Sequence, residues 1–182
     1  KYYATRKDGD QLRILQDTLG TLFKRFGYSL RDINQTITRL RLILRSIPFD
    51  DKIDTPVLSL LLILQEVNRD LFNDFKHDPS VVNEVVECLI GMPSNHEKLP
   101  ERYGWLGAWL VAAASQDREN NQKHLLDEWK NILNNMQESD QNRGEIERLI
   151  KSAPEIPLYD RVNILQLAFD RIELMAQIEI TA

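Results

Sequence analysis

The stretch Thr55-Pro56-Val57-Leu58-Ser59-Leu60-Leu61-Leu62-Ile63-Leu64-Gln65-Glu66 decides the fold class of this chain. Thr55 followed by Pro56 reads as an N-cap with proline at the first helical position, where the missing N–H is one the helix does not use. The residues that follow are apolar on every side of a 3.6-residue helix, Ser59 excepted. Such a helix has no face for water and belongs at the centre of a bundle. The run is also far too short to cross a bilayer, which takes about 20 apolar residues.

Amphipathic helices are predicted on both sides of it. Residues 10–26 carry Leu12, Leu15, Leu19, Leu22, Phe23 and Phe26 at helical spacing. They follow a turn at Asp8-Gly9-Asp10 and end on Gly27, which suits a left-handed cap. Ser29 opens a second helix with Asp32 in its first turn. The stripe Ile33, Ile37, Leu40, Leu44 and Ile47 is its expected buried face, and Pro48 stops it. The central helix is predicted over residues 55–75. Asp78-Pro79 then caps a fourth helix that ends at Gly91 and carries Val81, Val82, Val85, Val86, Leu89 and Ile90.

Residues 92–103, with Pro93, Ser94, Asn95 and Pro100, read as a long loop or a subdomain boundary. Further helices are predicted over residues 103–115, 117–138 and 142–152. After Pro154 and Pro157 a last one covers 158–178, with Leu165, Ala168, Phe169, Ile172, Met175 and Ala176 on one face. The expected fold is all-α, an irregular multi-helix bundle of about seven to eight helices. Two helical subdomains, residues 1–91 and 92–182, are the expected division.

Composition agrees. Seven glycines and seven prolines in 182 residues are too few breakers for an all-β chain, which turns every ten residues or so. A net charge of −5 gives no overall attraction for nucleic acid. The single cysteine, Cys88, excludes an intrachain disulfide and a cysteine-rich zinc site, and favours a soluble, cytoplasmic setting. The opening Lys1-Tyr2-Tyr3-Ala4-Thr5-Arg6, without a Met, reads as the tail of an upstream segment, so a fragment of a larger protein is expected.

No Gly-rich phosphate loop with a following Lys-Ser or Lys-Thr is present, which excludes an autonomous nucleotide hydrolase. His77, His96 and His124 are scattered among polar residues and suggest no metal site. Cys88 lies on the apolar side of its helix, as a buried and inert thiol does. No carboxylate pair stands out, so no catalytic residue is nominated and no enzymatic activity is expected of the fragment.

The second helix offers more. Opposite its apolar stripe, Arg31, Arg41 and Arg45 share a face with Asn34, Thr38 and Leu42, an apolar residue where water is expected. This face is either plain surface or a contact for another domain or a phosphate. Arg31 stands in the first turn, where charge and helix dipole both favour an anion. Trp105 and Trp109, four residues apart, stack along one helix face. They serve packing, as Trp129 does, or join Arg41, Leu42 and Arg45 as a partner-binding patch. A DNA-binding role for the three arginines is opposed by the acidic total.

The segment Tyr28-Ser29-Leu30-Arg31-Asp32-Ile33 with Thr38-Arg39-Leu40, followed by the apolar stretch quoted above with Asn68, Leu71 and Phe72, resembles the C-terminal helical region of KAP-family P-loop NTPases. The resemblance covers about residues 12–75. In that family a phosphate-loop core is followed by helices opening on a small residue, Pro or Leu, Arg, Asp or Glu, and Ile. An apolar helix of the Leu-Leu-Ile-Leu type comes next.

The resemblance implies a nucleotide-binding core upstream of Lys1. That core would carry ATP and magnesium, while the fragment itself holds no cofactor and contacts no membrane. It implies a nucleotide-sensing role for Arg31 and a parent ATPase linked, like many bacterial members, with phage exclusion or other defence. Some members are membrane-associated, here through the missing part. The implied partners are the upstream domain and a protein whose state it controls. Without the resemblance, the same residues describe a free-standing helical protein-interaction module.

Overall fold

The computed structural model describes residues 8–47, 54–90, 103–115, 120–139, 143–156 and 163–181. Among these residues there are nine α-helices and two 3₁₀ turns, and no strand. The helices are α1 (Asp8–Arg25), α2 (Leu30–Ser46), α3 (Thr55–Val67), α4 (Arg69–His77) and α5 (Val82–Ile90). They continue as α6 (Tyr103–Ala114), α7 (Asn120–Asn135), α8 (Arg143–Ser152) and α9 (Ile164–Thr181). No described helix is long and apolar enough to cross a membrane.

The helices sort into two packed units, Lys1–Val67 with Arg161–Ala182, and Asn68–Asp160. This partition differs from the expected one after residue 91. Helices α4 and α5 pack with those that follow residue 103, and α9 returns to α2 and α3. Of the loop or boundary expected at residues 92–103, all but Tyr103, which opens α6, lies outside the described residues.

In the first unit α3 lies against α1, α2 and α9, and every side chain from Pro56 through Leu64 is buried. Its cap is Asp54, one residue before the expected Thr55: the Asp54 carboxylate accepts from the Val57 N–H at 3.1 Å. The helix also stops earlier than residue 75. The Asn68 side chain accepts from the Leu71 N–H at 3.1 Å and starts α4, so a good capping residue overrides continuous helical spacing. In the same way Asn163, accepting from the Gln166 N–H at 2.9 Å, begins α9 at Ile164 rather than near residue 158. Leu19, Leu22 and Phe23 of α1, and Leu165, Phe169 and Ile172 of α9, complete this core.

The second unit repeats the plan around α6, which is apolar on all sides and buried at Tyr103, Gly104, Leu106–Ala112 and Ala114. It packs against α5, α7 and α8. Gly104 and Gly107 permit the close crossing with α8. A Cβ on Gly104 would overlap the Glu145 carbonyl oxygen, and one on Gly107 would come within 2.6 Å of Leu149 Cδ1. Glu145, 9% exposed, accepts from the Gly104 N–H at 2.9 Å and so caps the start of α6 from another helix. Arg143 closes the end of α7 by donating to the carbonyls of Leu133 at 3.2 Å and Met136 at 3.1 Å. Asn83 of α5 accepts from the Trp129 indole N–H and donates to Glu128.

Candidate functional site

The site is built on α2 and begins with the turn before it. Gly27 takes φ +62°, ending α1 as expected. The Tyr28 N–H then reaches back to the Phe23 carbonyl at 3.0 Å, and the two rings stack at 5.2 Å. This is the Schellman arrangement, with a left-handed residue and an apolar contact across it. Ser29 and Asp32 form a reciprocal capping box. The Asp32 N–H donates to Ser29 Oγ at 3.3 Å, and the Ser29 N–H donates to the Asp32 carboxylate at 3.0 Å. The hydrogen bonds from Ser29 hold the Asp32 carboxyl below the usual carboxylate range.

The buried face of α2 is not the expected one. Thr36, Leu40 and Ile43 are buried, whereas Ile33, Ile37 and Ile47 are half-buried and Leu44 is 36% exposed. At 100° per residue the face has turned by roughly 60° from the apolar stripe. Polar chemistry allows the turn. Glu66, at the end of α3, accepts from the Tyr28 hydroxyl at 2.8 Å and from Arg39 Nη1 at 3.0 Å. The Thr36 hydroxyl lies 2.9 Å from the same carboxylate and 3.0 Å from the Asp32 carbonyl. Arg39 Nη2 also donates to the Gln65 side chain at 2.9 Å. A buried threonine is tolerated because its hydroxyl has acceptors.

Burial raises the Tyr28 hydroxyl well above its ordinary pKa, and the Glu66 hydrogen bond and charge add to the effect. It therefore stays a protonated donor. The ion pair of Arg39 and Glu66, each side chain 20% exposed, is shielded enough from water to position both groups. An open groove of about 1070 Å³ follows this flank, lined by Tyr28, Arg31, Thr36, Arg39, Leu42 and Glu66 among others.

The outer ridge of α2 is as expected. Arg31, Asn34, Thr38, Arg41, Leu42 and Arg45 are all exposed, Leu42 to 40%. No hydrogen bond or ion pair among the described residues holds Arg31, Arg41 or Arg45. Both Trp105 and Trp109 lie in the second unit, with rings in an edge-to-face contact at 5.5 Å, and Trp109 is 4% exposed. Trp109 and Trp129 are core residues, placed by the apolar surroundings of α6 and by the Asn83 acceptor.

His77 and His124 are exposed, and His96 lies outside the described residues. Cys88 is half-buried rather than buried. Among the described residues no group of His, Cys, Asp and Glu has the arrangement of a metal site. The cluster of Tyr28, Thr36, Arg39 and Glu66 was not singled out from the sequence. Its one local signal is Glu66 itself, a charge at the end of a wholly apolar helix, which needs a partner if the helix is central.

No family model matches the chain, and neither a curated protein nor a solved structure does.

Proposed function

We propose that this chain is a non-catalytic helical domain of a larger KAP-like P-loop NTPase. In this reading the outer ridge of α2 contacts the nucleotide-binding core and relays its state to a protein partner, in phage exclusion or another defence role. The observation that carries the reading is the ridge, where Arg31, Arg41, Leu42 and Arg45 are exposed in one sector beside an open groove. Most of the residues that resemble the family support it by falling in one packed unit, namely the turn at Tyr28 and Ser29, the helix α2 and the central α3, while Asn68, Leu71 and Phe72 fall in the other.

Arg31 is the nucleotide-sensing residue of this reading, and it acts through its guanidinium alone. The positive end of α2 already carries the Asp32 carboxylate, bound to the Ser29 N–H, so a phosphate gains little from the helix dipole there. The same carboxylate is the observation that favours a second reading, a protein-interaction module without nucleotide linkage.

Arg31→Ala in the full-length parent separates the two. The first reading expects ATP hydrolysis to fall about tenfold or more, a loss of roughly 1.4 kcal/mol of transition-state stabilisation, with nucleotide affinity also weakened. Unchanged hydrolysis and unchanged affinity would remove the sensing role and leave the interaction module.

A further inference from the structure

The half-covered side of α2 has a register. Leu30, Ile33, Ile37, Leu40, Leu44 and Ile47 alternate at spacings of three and four residues, the a and d positions of a heptad repeat. They form one stripe about 26 Å long at 1.5 Å per residue. Of the six, only Leu40 is buried. Leu30 is 81% exposed, Leu44 is 36% exposed, and Ile33, Ile37 and Ile47 are half-buried. The chain therefore buries the flank of this seam, through Thr36 and Ile43, and leaves most of the seam itself uncovered.

We infer that this seam docks an amphipathic, acidic α-helix of a partner protein, laid along α2 with its apolar residues between Leu30 and Ile47. The heptad spacing selects a helix, because knobs from a second helix fill holes at this repeat. Charge selects an acidic one. The solvent edge of the seam carries Arg41, with Arg45 and Arg31 farther round α2, and no hydrogen bond or ion pair among the described residues holds these side chains; Asp32, which feels the Arg31 charge, is hydrogen-bonded by Ser29, and Glu66 is engaged by Tyr28 and Arg39. A second copy of the same helix would set arginines against arginines. A nucleic acid would meet the cations but leave Leu30 and Leu44 in water. The inference goes beyond nucleotide coupling and does not depend on it.

The test is fluorescence anisotropy of the 182-residue chain with a labelled amphipathic peptide of about three heptads, with Leu at its a and d positions and Glu along their edges. A second peptide carries Lys for every Glu. The acidic peptide is expected to bind and the basic one not. Leu30→Glu with Leu44→Glu should weaken binding by about tenfold or more, and so should Arg41→Glu with Arg45→Glu. The arginine-reversed variant should now take the basic peptide. All four positions are exposed, and an unchanged thermal melt checks that the variants fold. Equal binding of both peptides, or no binding of the acidic one at low salt, overturns the inference. A homodimer in sedimentation that the leucine variant dissolves overturns it in favour of a second copy. Retention of duplex DNA in place of the peptide overturns it in favour of nucleic acid. No nucleotide enters this assay, so its outcome is separable from the hydrolysis measurement on the parent.

Discussion

Gly27 and Asp32 show how much a single residue settles here. Gly27 ends α1 at φ +62°, with open space where a Cβ would go, so the only cost of a side chain is conformational. Gly27→Ala should lower unfolding free energy by about 1–2 kcal/mol, read as a shift in urea midpoint without a change in slope. Asp32 works through charge. Its folded pKa lies below the unfolded value, so its contribution is present above the unfolded value of about 3.9 and is lost as pH falls through the folded one. The midpoint gap between the chain and Asp32→Ala should thus be full at neutral pH and shrink in acid below about pH 4. A gap that holds constant to pH 2 contradicts this. Both residues were legible in the sequence, because caps are local and depend on a few neighbouring atoms.

At the scale of the element, local pattern and tertiary partner begin to disagree. The apolar stripe of α2 named one face and the structure buries its neighbour, since one acceptor for Thr36, the Glu66 carboxylate, lies thirty positions away in sequence. Periodicity contains no information about such a partner. The run leading into α4 shows the converse. Its spacing continued as helix, yet Asn68 capped a new one. The tight pair of α6 and α8 was also invisible, for glycine in a helix normally only weakens it. Here Gly104 is required by contact. Gly104→Ala forces a methyl against the Glu145 carbonyl and displaces the N–H that Glu145 caps. A loss of about 2–3 kcal/mol is expected, visible as a lower melting temperature by tryptophan fluorescence. A melt within a degree of the parent chain's would show that α8 shifts freely.

For the whole molecule, what matters is how each unit is assembled from the chain. All three tryptophans, Trp105, Trp109 and Trp129, lie in the unit Asn68–Asp160, which is continuous and has α6 as its own core. The other unit is discontinuous. Its central α3 is covered on one side by α9, which arrives only after the second unit has been made. Periodicity could indicate that α3 and α6 are both central helices, but not that the chain returns to close the first. Removing residues 161–182 therefore has an asymmetric consequence. It uncovers α3 residues that are now fully buried and takes away Phe169 and Ile172, a loss beyond what one unit of marginal stability withstands. The truncated chain should lose helicity by circular dichroism while its tryptophan emission maximum stays that of the native protein. A segment of residues 68–160 alone should show that same emission and a cooperative urea transition. Tryptophan emission that shifts to the unfolded value in the truncated chain would mean that the contiguous unit needs the other to fold, and would contradict the independence that its separate core implies.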